Sequence, residues 1–348
     1  MEYKYNYLSI NDDFNLTMFC ITYNLHGDSL NFGQITHLLT IHKNQNCDIY
    51  VISTQESQRS ILMNLFFWYK SKFEEDLAQF FGKDYVRLKT ETLGGVHLII
   101  FIKKIHKNYI LNYYKEYIKT GFYGLLGNKG AVGIGFKLYN ISFFIINCHL
   151  CSGFYNTLYR NDDFDYIKKT IHPNLYKYDV VIWMGDFNYR VNKTVEEVKE
   201  FLKSKNEIEL LEFDQMNEEI KNYNLKCEGF TEGNITFFPT YKYSEDQTNL
   251  LLYDCQDHIP SWTDRILFMI NQNKFHFIDD ESKNNSEDKN IIENNNNNKK
   301  EKEEDIHIDK KNKENTKACF QLICYDSMQD IFFSDHKPVY AYFNMSIN

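Results

Sequence analysis

The stretch VVIWMGDFNYR, residues 180–190, constrains the fold of this chain more than any other. Val180 to Met184 form an unbroken apolar run of strand length, the pattern of a strand buried on both faces of a sheet. Gly185 ends the run, and Asp186, Asn188 and Arg190 follow at once. The runs MFCITYN, CDIYVIST, GVHLIIFIKK, GAVGIGFKLYN, ISFFIINCHL, WTDRILFMI and PVYAYFNM have the same build and predict further strands. Helical patterning lies between them at 35–42, 59–81 and 162–171, where Phe164, Ile167 and Ile171 recur at helical spacing. Thr194 with Glu197 forms a capping box that opens the helix VEEVKEFLKSK. Some strands follow one another directly and others are separated by helices, which predicts mixed sheets rather than strict β-α-β alternation.

An apolar content of 43% in 348 residues is enough for a large core within one unit. The exception is 279–317, an almost wholly polar segment with a run of five Asn, expected to be a disordered low-complexity insertion. Apolar patterning resumes at CFQLICYD, so the segment is expected to lengthen a hairpin loop inside a domain. The organisation read from this is an N-terminal extension over 1–16 and one catalytic domain over 17–278 and 318–346. A net charge of −9 disfavours a nucleic-acid partner. The eight cysteines form no regular framework; Cys148-x-x-Cys151 stands alone, and all are expected to be reduced. The sequence shows no apolar run of about 18 residues, no signal-peptide core and no lipidation motif. The expectation is a monomeric cytoplasmic protein.

Nearly every apolar run ends or opens on a residue able to do chemistry. Asn24, Gln55 with Glu56, His149, Asp186, Asp264 with Arg265, and Asp335 with His336 all stand at strand ends. Each has an ordinary alternative: His149 as a satisfied core histidine, Asp186 and Asn188 as an Asx turn, Glu56 as a charge at a helix start, SDHKP as a plain loop. Six such positions together predict one shared rim. Carboxylates and carboxamides are hard oxygen ligands suited to Mg²⁺, and imidazoles beside them suit a phosphate. No cysteine has an arginine at cysteine-phosphatase spacing, and the Gly-rich GLLGNKGAVGIG lacks P-loop spacing.

WMGDFNYR, PTYKY, PSWTDRIL, GNKGAV and SDHKPV, in this order, resemble the inositol polyphosphate 5-phosphatases of the endonuclease/exonuclease/phosphatase superfamily. HLCSG before RNDDF, and CEGFTEGNITFFPTYKY, are similar to the synaptojanin-like branch. The resemblance runs from about residue 17 to 345. It implies a four-layer α/β (α+β) sandwich, two facing mixed β-sheets flanked by helices. It also implies Mg²⁺-dependent release of the 5-phosphate from phosphoinositide lipids or soluble inositol polyphosphates. By resemblance Glu56 is the main metal ligand, with Asn24 and Asp335 beside it. Asp186 activates the attacking water, Asn188 helps hold it, and His149 and His336 contact the scissile phosphate. Asp264 pairs with His336, and Arg190 and Arg265 brace the rim. Asn128, Lys129, Tyr241 and Lys242 contact substrate, the last two at the 4-phosphate. Phe122, Tyr123, Leu125 and Leu126 stand where acyl chains or a membrane surface could be touched. Asp257 and His258 replace cations usual before PSWTDR. The alternatives are another superfamily hydrolase, a DNA-repair endonuclease or sphingomyelinase, and a catalytically inactive head-group-binding module.

Overall fold

The computed structural model describes residues 14–43, 46–57, 68–121, 126–204, 207–244, 253–255, 258–278 and 318–347. Phe122, Tyr123, Leu125, Asp257, the segment 279–317 and the first part of the helix predicted over 59–81 lie outside the described residues, as does the side chain of Leu126. In chain order the strands are β1 (Phe14–Asn24), β2 (Ile49–Gln55), β3 (Tyr85–Leu93), β4 (Val96–Lys103), β5 (Ile110–Thr120), β6 (Leu126–Leu138), β7 (Ile141–His149), β8 (Val180–Asp186), β9 (Thr231–Glu232), β10 (Asp264–Ile270), β11 (Phe275–Ile278), β12 (Ala318–Ser327) and β13 (Val339–Ile347). They form two mixed sheets, one ordered β11-β12-β13-β1-β2-β4-β3 and the other β5-β6-β7-β8-β10-β9.

The continuous apolar runs follow from burial on both faces of each sheet. Met18, Val51, Ile100, Val132, Ile145, Ile182 and Ile266 point into one core between the sheets. Their strand neighbours Phe19, Tyr50 and Phe101 point outward to α1 (Phe32–Lys43) and α2 (Trp68–Phe81). On the other sheet Phe144, Ile146 and Trp183 meet α3 (Thr157–Thr170), where Phe164 stacks on Trp183 with ring centroids 4.2 Å apart. Helix, sheet, sheet, helix gives the four layers expected from sequence. The predicted capping box is present at α4 (Val195–Ser204): Glu197 Oε2 accepts from the Thr194 N–H at 2.8 Å, and Thr194 Oγ1 accepts from the Glu197 N–H at 3.3 Å.

Several expectations are corrected. β1 reaches back to Phe14, paired with Ile347, so the first strand starts inside the segment read as an extension. α3 begins at Thr157, five residues before the predicted 162. The segment 279–317 does not join a hairpin, because the flanking β11 and β12 pair in parallel, Phe275 with Ala318 and Ile278 with Gln321. Strands β3 and β5 were not foreseen. Both are sheet edges with largely exposed or half-exposed side chains, so no apolar run announces them.

Candidate active site

Strand register builds the site. Asp186 ends β8 and pairs with His149 of β7 on one side and Asp264 of β10 on the other, so the three stand in one row across the second sheet. Asn24 and Gln55 pair at the ends of β1 and β2 in the first sheet. Gly185 permits the row: its φ is 142°, and a Cβ there would lie 2.1 Å from the Cys148 carbonyl oxygen. The sheets are tied where the rims meet. Asn24 Nδ2 donates to Asp186 Oδ2 at 2.8 Å, and one layer lower Gln55 Nε2 donates to Asn147 Oδ1 at 2.7 Å.

A cavity of about 1120 Å³ opens at this rim. Asn24, Glu56, Lys129, Asp186, Asn188, Tyr241, Lys242, Asp335 and His336 all line it, as does His258. His149, predicted to contact the phosphate, is not among the lining residues: it is buried beneath them, its Nε2 3.4 Å from Asp186 Oδ2 and 3.6 Å from Glu56 Oε1, in direct contact with Lys129 Nζ. Asp264 is buried behind His336. Asn128 is exposed on β6 and is not among the lining residues. Strand alternation takes Gln55 and Arg265 away from the rim: Gln55 faces the inter-sheet core, and Arg265 is clamped by Asp214 at 3.0 Å and Glu232 at 2.5 Å. Arg265 is thus a brace, but Arg190 also lines the cavity, its guanidinium 4.4 Å from the centre of the Tyr241 ring.

The electrostatics divide the charged groups. Burial opposes ionisation of Asp186, but its hydrogen bond to His149 and the charges of His149, His336 and Lys129 hold its carboxyl well below the usual range. Its other oxygen accepts from the Asn188 N–H at 2.9 Å, with Asn188 at a φ of 58°. Burial, then the Lys129 charge, pushes the His149 imidazole down. Burial also lowers the Lys129 ammonium, against the pull of Asp186 and Glu56. In the Asp264–His336 pair burial works against both charges, raising the Asp264 carboxyl and opposing the His336 imidazolium. The direct Nδ1 to Oδ2 contact of 2.8 Å prevails for the imidazole, which rises to about 9. Thr240 and Thr263 hydroxyls donate to the same Asp264 oxygen at 2.8 and 2.9 Å, fixing its direction. The Tyr241 ring lies 4.4 Å from the His336 ring, between it and Arg190.

The residues present fit a divalent cation. Three carboxylates, Glu56, Asp186 and Asp335, and the Asn24 carboxamide line one cavity, an all-oxygen set suited to a hard ion. Asp186, Asp264 and His336 also bring ligand atoms within 4.8 Å of one another. That trio suits a metal less well, since the Asp264–His336 proton occupies it and Asp264 does not reach the cavity. Sequence reasoning missed His26, whose Nδ1 lies 3.2 Å from Asp335 Oδ1 and which lines the cavity from a turn just past β1. It missed the wall over Ser152–Tyr155 as well. Neither stands at the end of an apolar run.

A family model described as Endonuclease/Exonuclease/phosphatase family 2 matches residues 21–342. Human synaptojanin-2 is 40% identical over 197 residues, covering 55% of this chain and 13% of that protein. A phosphatidylinositol 4,5-bisphosphate 5-phosphatase of Saccharomyces cerevisiae is 31% identical over 274 residues, 76% of this chain and 23% of the yeast protein. The chain therefore spans less than a quarter of the length of either relative. Among solved structures, the inositol polyphosphate 5-phosphatase domain of SpSynaptojanin, in complex with inositol (1,4)-bisphosphate and calcium ion, superposes with a TM-score of 0.73 at 26% identity, covering 97% of this chain and 86% of that one. A match along almost the whole length, on a sandwich whose strand ends converge as described, means that this chain belongs to the endonuclease/exonuclease/phosphatase family 2, in which it is similar to synaptojanins and inositol polyphosphate 5-phosphatases.

Proposed function

We propose that this chain is a Mg²⁺-dependent phosphomonoesterase that removes the 5-phosphate from phosphoinositides or soluble inositol polyphosphates by direct attack of water, with no phosphoenzyme. The observation that carries this reading is the meeting in one cavity of a carboxylate held by both sheets, Asp186, an imidazolium, His336, and the open carboxylate of Glu56. Glu56, with Asn24 and Asp335, would hold the ion, which when bound polarises a phosphoryl oxygen and offsets charge built up during displacement. Asp186, oriented by Asn24 and the Asn188 N–H, positions the attacking water. A carboxylate held so far below its usual range is a weak base alone. An anionic phosphoryl group beside it raises its proton affinity as the proton must leave the water. His336 uses Nδ1 for Asp264, which leaves Nε2–H to meet a phosphoryl oxygen. Lys129 and Lys242 face the same cavity and suit the remaining anionic groups. The test is phosphate release from a panel of lipid and soluble inositol phosphates, with product analysis of the ring position. Release only in Mg²⁺ and its loss in EDTA are expected; a panel inert in Mg²⁺ overturns the reading in favour of a binding module.

The membrane-bound form of the substrate is favoured by the cavity's surroundings. The wall residues Phe154 and Tyr155 lead into the first turn of α3; Tyr155 just before it and Leu158 and Tyr159 within it are 92%, 71% and 63% exposed. Exposed apolar and tyrosine side chains beside a mouth suit the polar–apolar boundary of a bilayer. Among the described residues no helix is long and apolar enough to cross a membrane, so the contact would be peripheral, from the cytoplasm. The Leu158→Ser/Tyr159→Ser variant is expected to lose about tenfold in turnover on vesicles, a loss of two partly inserted side chains, while keeping turnover of the soluble head group. Equal losses on both substrates would remove the membrane role.

A further inference from the structure

Arg160, Arg190 and Arg265 are all buried, but only one has a counter-charge. Arg265 sits between Asp214 and Glu232. Among the described residues, Arg160 and Arg190 make ion pairs with no carboxylate. Arg160, on α3, is solvated by neutral oxygens. Its Nη1 donates to the Gly153 carbonyl at 2.6 Å and the Cys151 carbonyl at 3.3 Å, and its Nη2 to Gln215 Oε1 at 2.6 Å. Arg190 donates from Nη2 to Asn188 Oδ1 at 2.6 Å, and its backbone N–H donates to the same Gln215 Oε1 at 2.9 Å. Gln215 opens α5 (Gln215–Lys221), and its Nε2 reaches Asn192 Oδ1 at 2.7 Å and the Phe154 carbonyl at 3.2 Å. One carboxamide thus joins the cavity wall at 151–154 to Arg190, Asn188 and, through the Asn188 N–H, Asp186.

A buried cation without an anion is costly, and a carboxylate at position 215 would remove the cost for Arg160. The chain places a neutral amide there. Burial and the nearby Arg190 charge together push the Arg160 guanidinium down to about 10, so it remains charged at neutral pH. Arg190 faces the cavity, and Arg160 lies directly behind its wall. The Asp186 charge reaches Arg160 only from a distance, without an ion pair, so the field of the two guanidinium groups extends into the cavity, where an incoming anion meets it.

We propose that Arg160 and Gln215 are positioning and charge-setting residues: Gln215 holds two arginines without forming an ion pair with either, so that their charge stays available to phosphate groups of the substrate. This rests on the reading of the cavity as a phosphate site, but neither residue touches substrate, and their effect is on anion affinity rather than on the chemical step.

The test compares Gln215→Glu, Arg160→Gln and Arg160→Lys in the full chain. Inorganic phosphate binding with Mg²⁺ is read by calorimetry, beside KM and kcat on a soluble inositol trisphosphate. Gln215→Glu and Arg160→Gln are expected to weaken phosphate binding and raise KM about tenfold, the scale of one charge acting through a few ångströms of protein, with kcat within about threefold. Arg160→Lys keeps the charge and is expected to stay within about threefold of wild type on both. Equal weakening in Arg160→Lys and Arg160→Gln would mean that only the shape of the wall matters, and wild-type phosphate affinity in Gln215→Glu would equally overturn the inference. Should Gln215→Glu fail to fold, the two Arg160 variants decide alone. Should wild type release no phosphate from any inositol phosphate, the functional reading fails while the calorimetry still judges this one.

Discussion

Asp186→Asn is expected to abolish turnover, with kcat at least about 10³-fold below wild type, the scale set by removing a group that orients and deprotonates a nucleophile. The substitution is nearly isosteric. It retains an oxygen for the Asn24 Nδ2 donor and the strand pairing of Asp186 with His149 and Asp264. What it removes is the negative charge that the surrounding groups keep ionised. The loss should therefore fall on kcat, with folding intact by circular dichroism and phosphate still bound. Residual turnover within tenfold of wild type would mean that another group positions the water.

Asp264→Asn carries the second large effect, reached through His336. In wild type the buried carboxylate lifts the imidazole to about 9, so His336 stays protonated through neutral pH. Without that charge burial, which favours the neutral ring, is opposed only by the smaller pull of Asp335 and Asp186. The alkaline limb of kcat/KM, expected near pH 9 in wild type, should move toward neutrality in the variant. At pH 7.5 the variant should be slower by about 10²-fold or more, as for loss of one charged donor to the phosphoryl group. The linkage has a definite sign. A histidine raised above its unfolded value of 6.5 gives stability that is complete below that value and lost as pH climbs through about 9. The gap in thermal midpoint between wild type and Asp264→Asn should thus be widest near pH 6 and narrow toward pH 10. An alkaline limb still near 9 in Asp264→Asn would show that this carboxylate does not set the histidine's charge.

The sequence exposed the rim more clearly than its depth. Burial on both faces makes a central strand an unbroken apolar run, so its end is sharp and the first polar residue beyond it is easily seen; Asn24, Asp186 and His336 were found this way. A strand end does not reveal which face a side chain takes. Gln55 and Glu56 are adjacent, yet one faces the core between the sheets and the other the cavity, and of Asp264 and Arg265 the first backs His336 while the second turns away to Asp214 and Glu232. That choice depends on pairing register, which needs the partner strands. His26, Arg160 and Gln215 were silent for a different reason. They sit in a turn and on two helices, where polar residues are ordinary, and matter through polar contacts to segments 309, 55 and 25 positions away in sequence. Edge strands β3 and β5 bury only isolated apolar side chains, such as Leu88 and Leu93 of β3, so no continuous apolar run marked them.

The parallel pairing of β11 with β12 sets a rule for how this chain can change over evolutionary time. The linkage between them rejoins the sheet beside Ala318, whose strand runs from there toward Ser327 and the loop that carries Asp335 and His336. The point of re-entry, Ala318, is therefore at the sheet margin away from the chemistry, while the chain leaves β11 at its opposite end, Ile278. Contraction has a floor, since a backbone leaving Ile278 must travel back past the whole of β11 before Ala318 can begin.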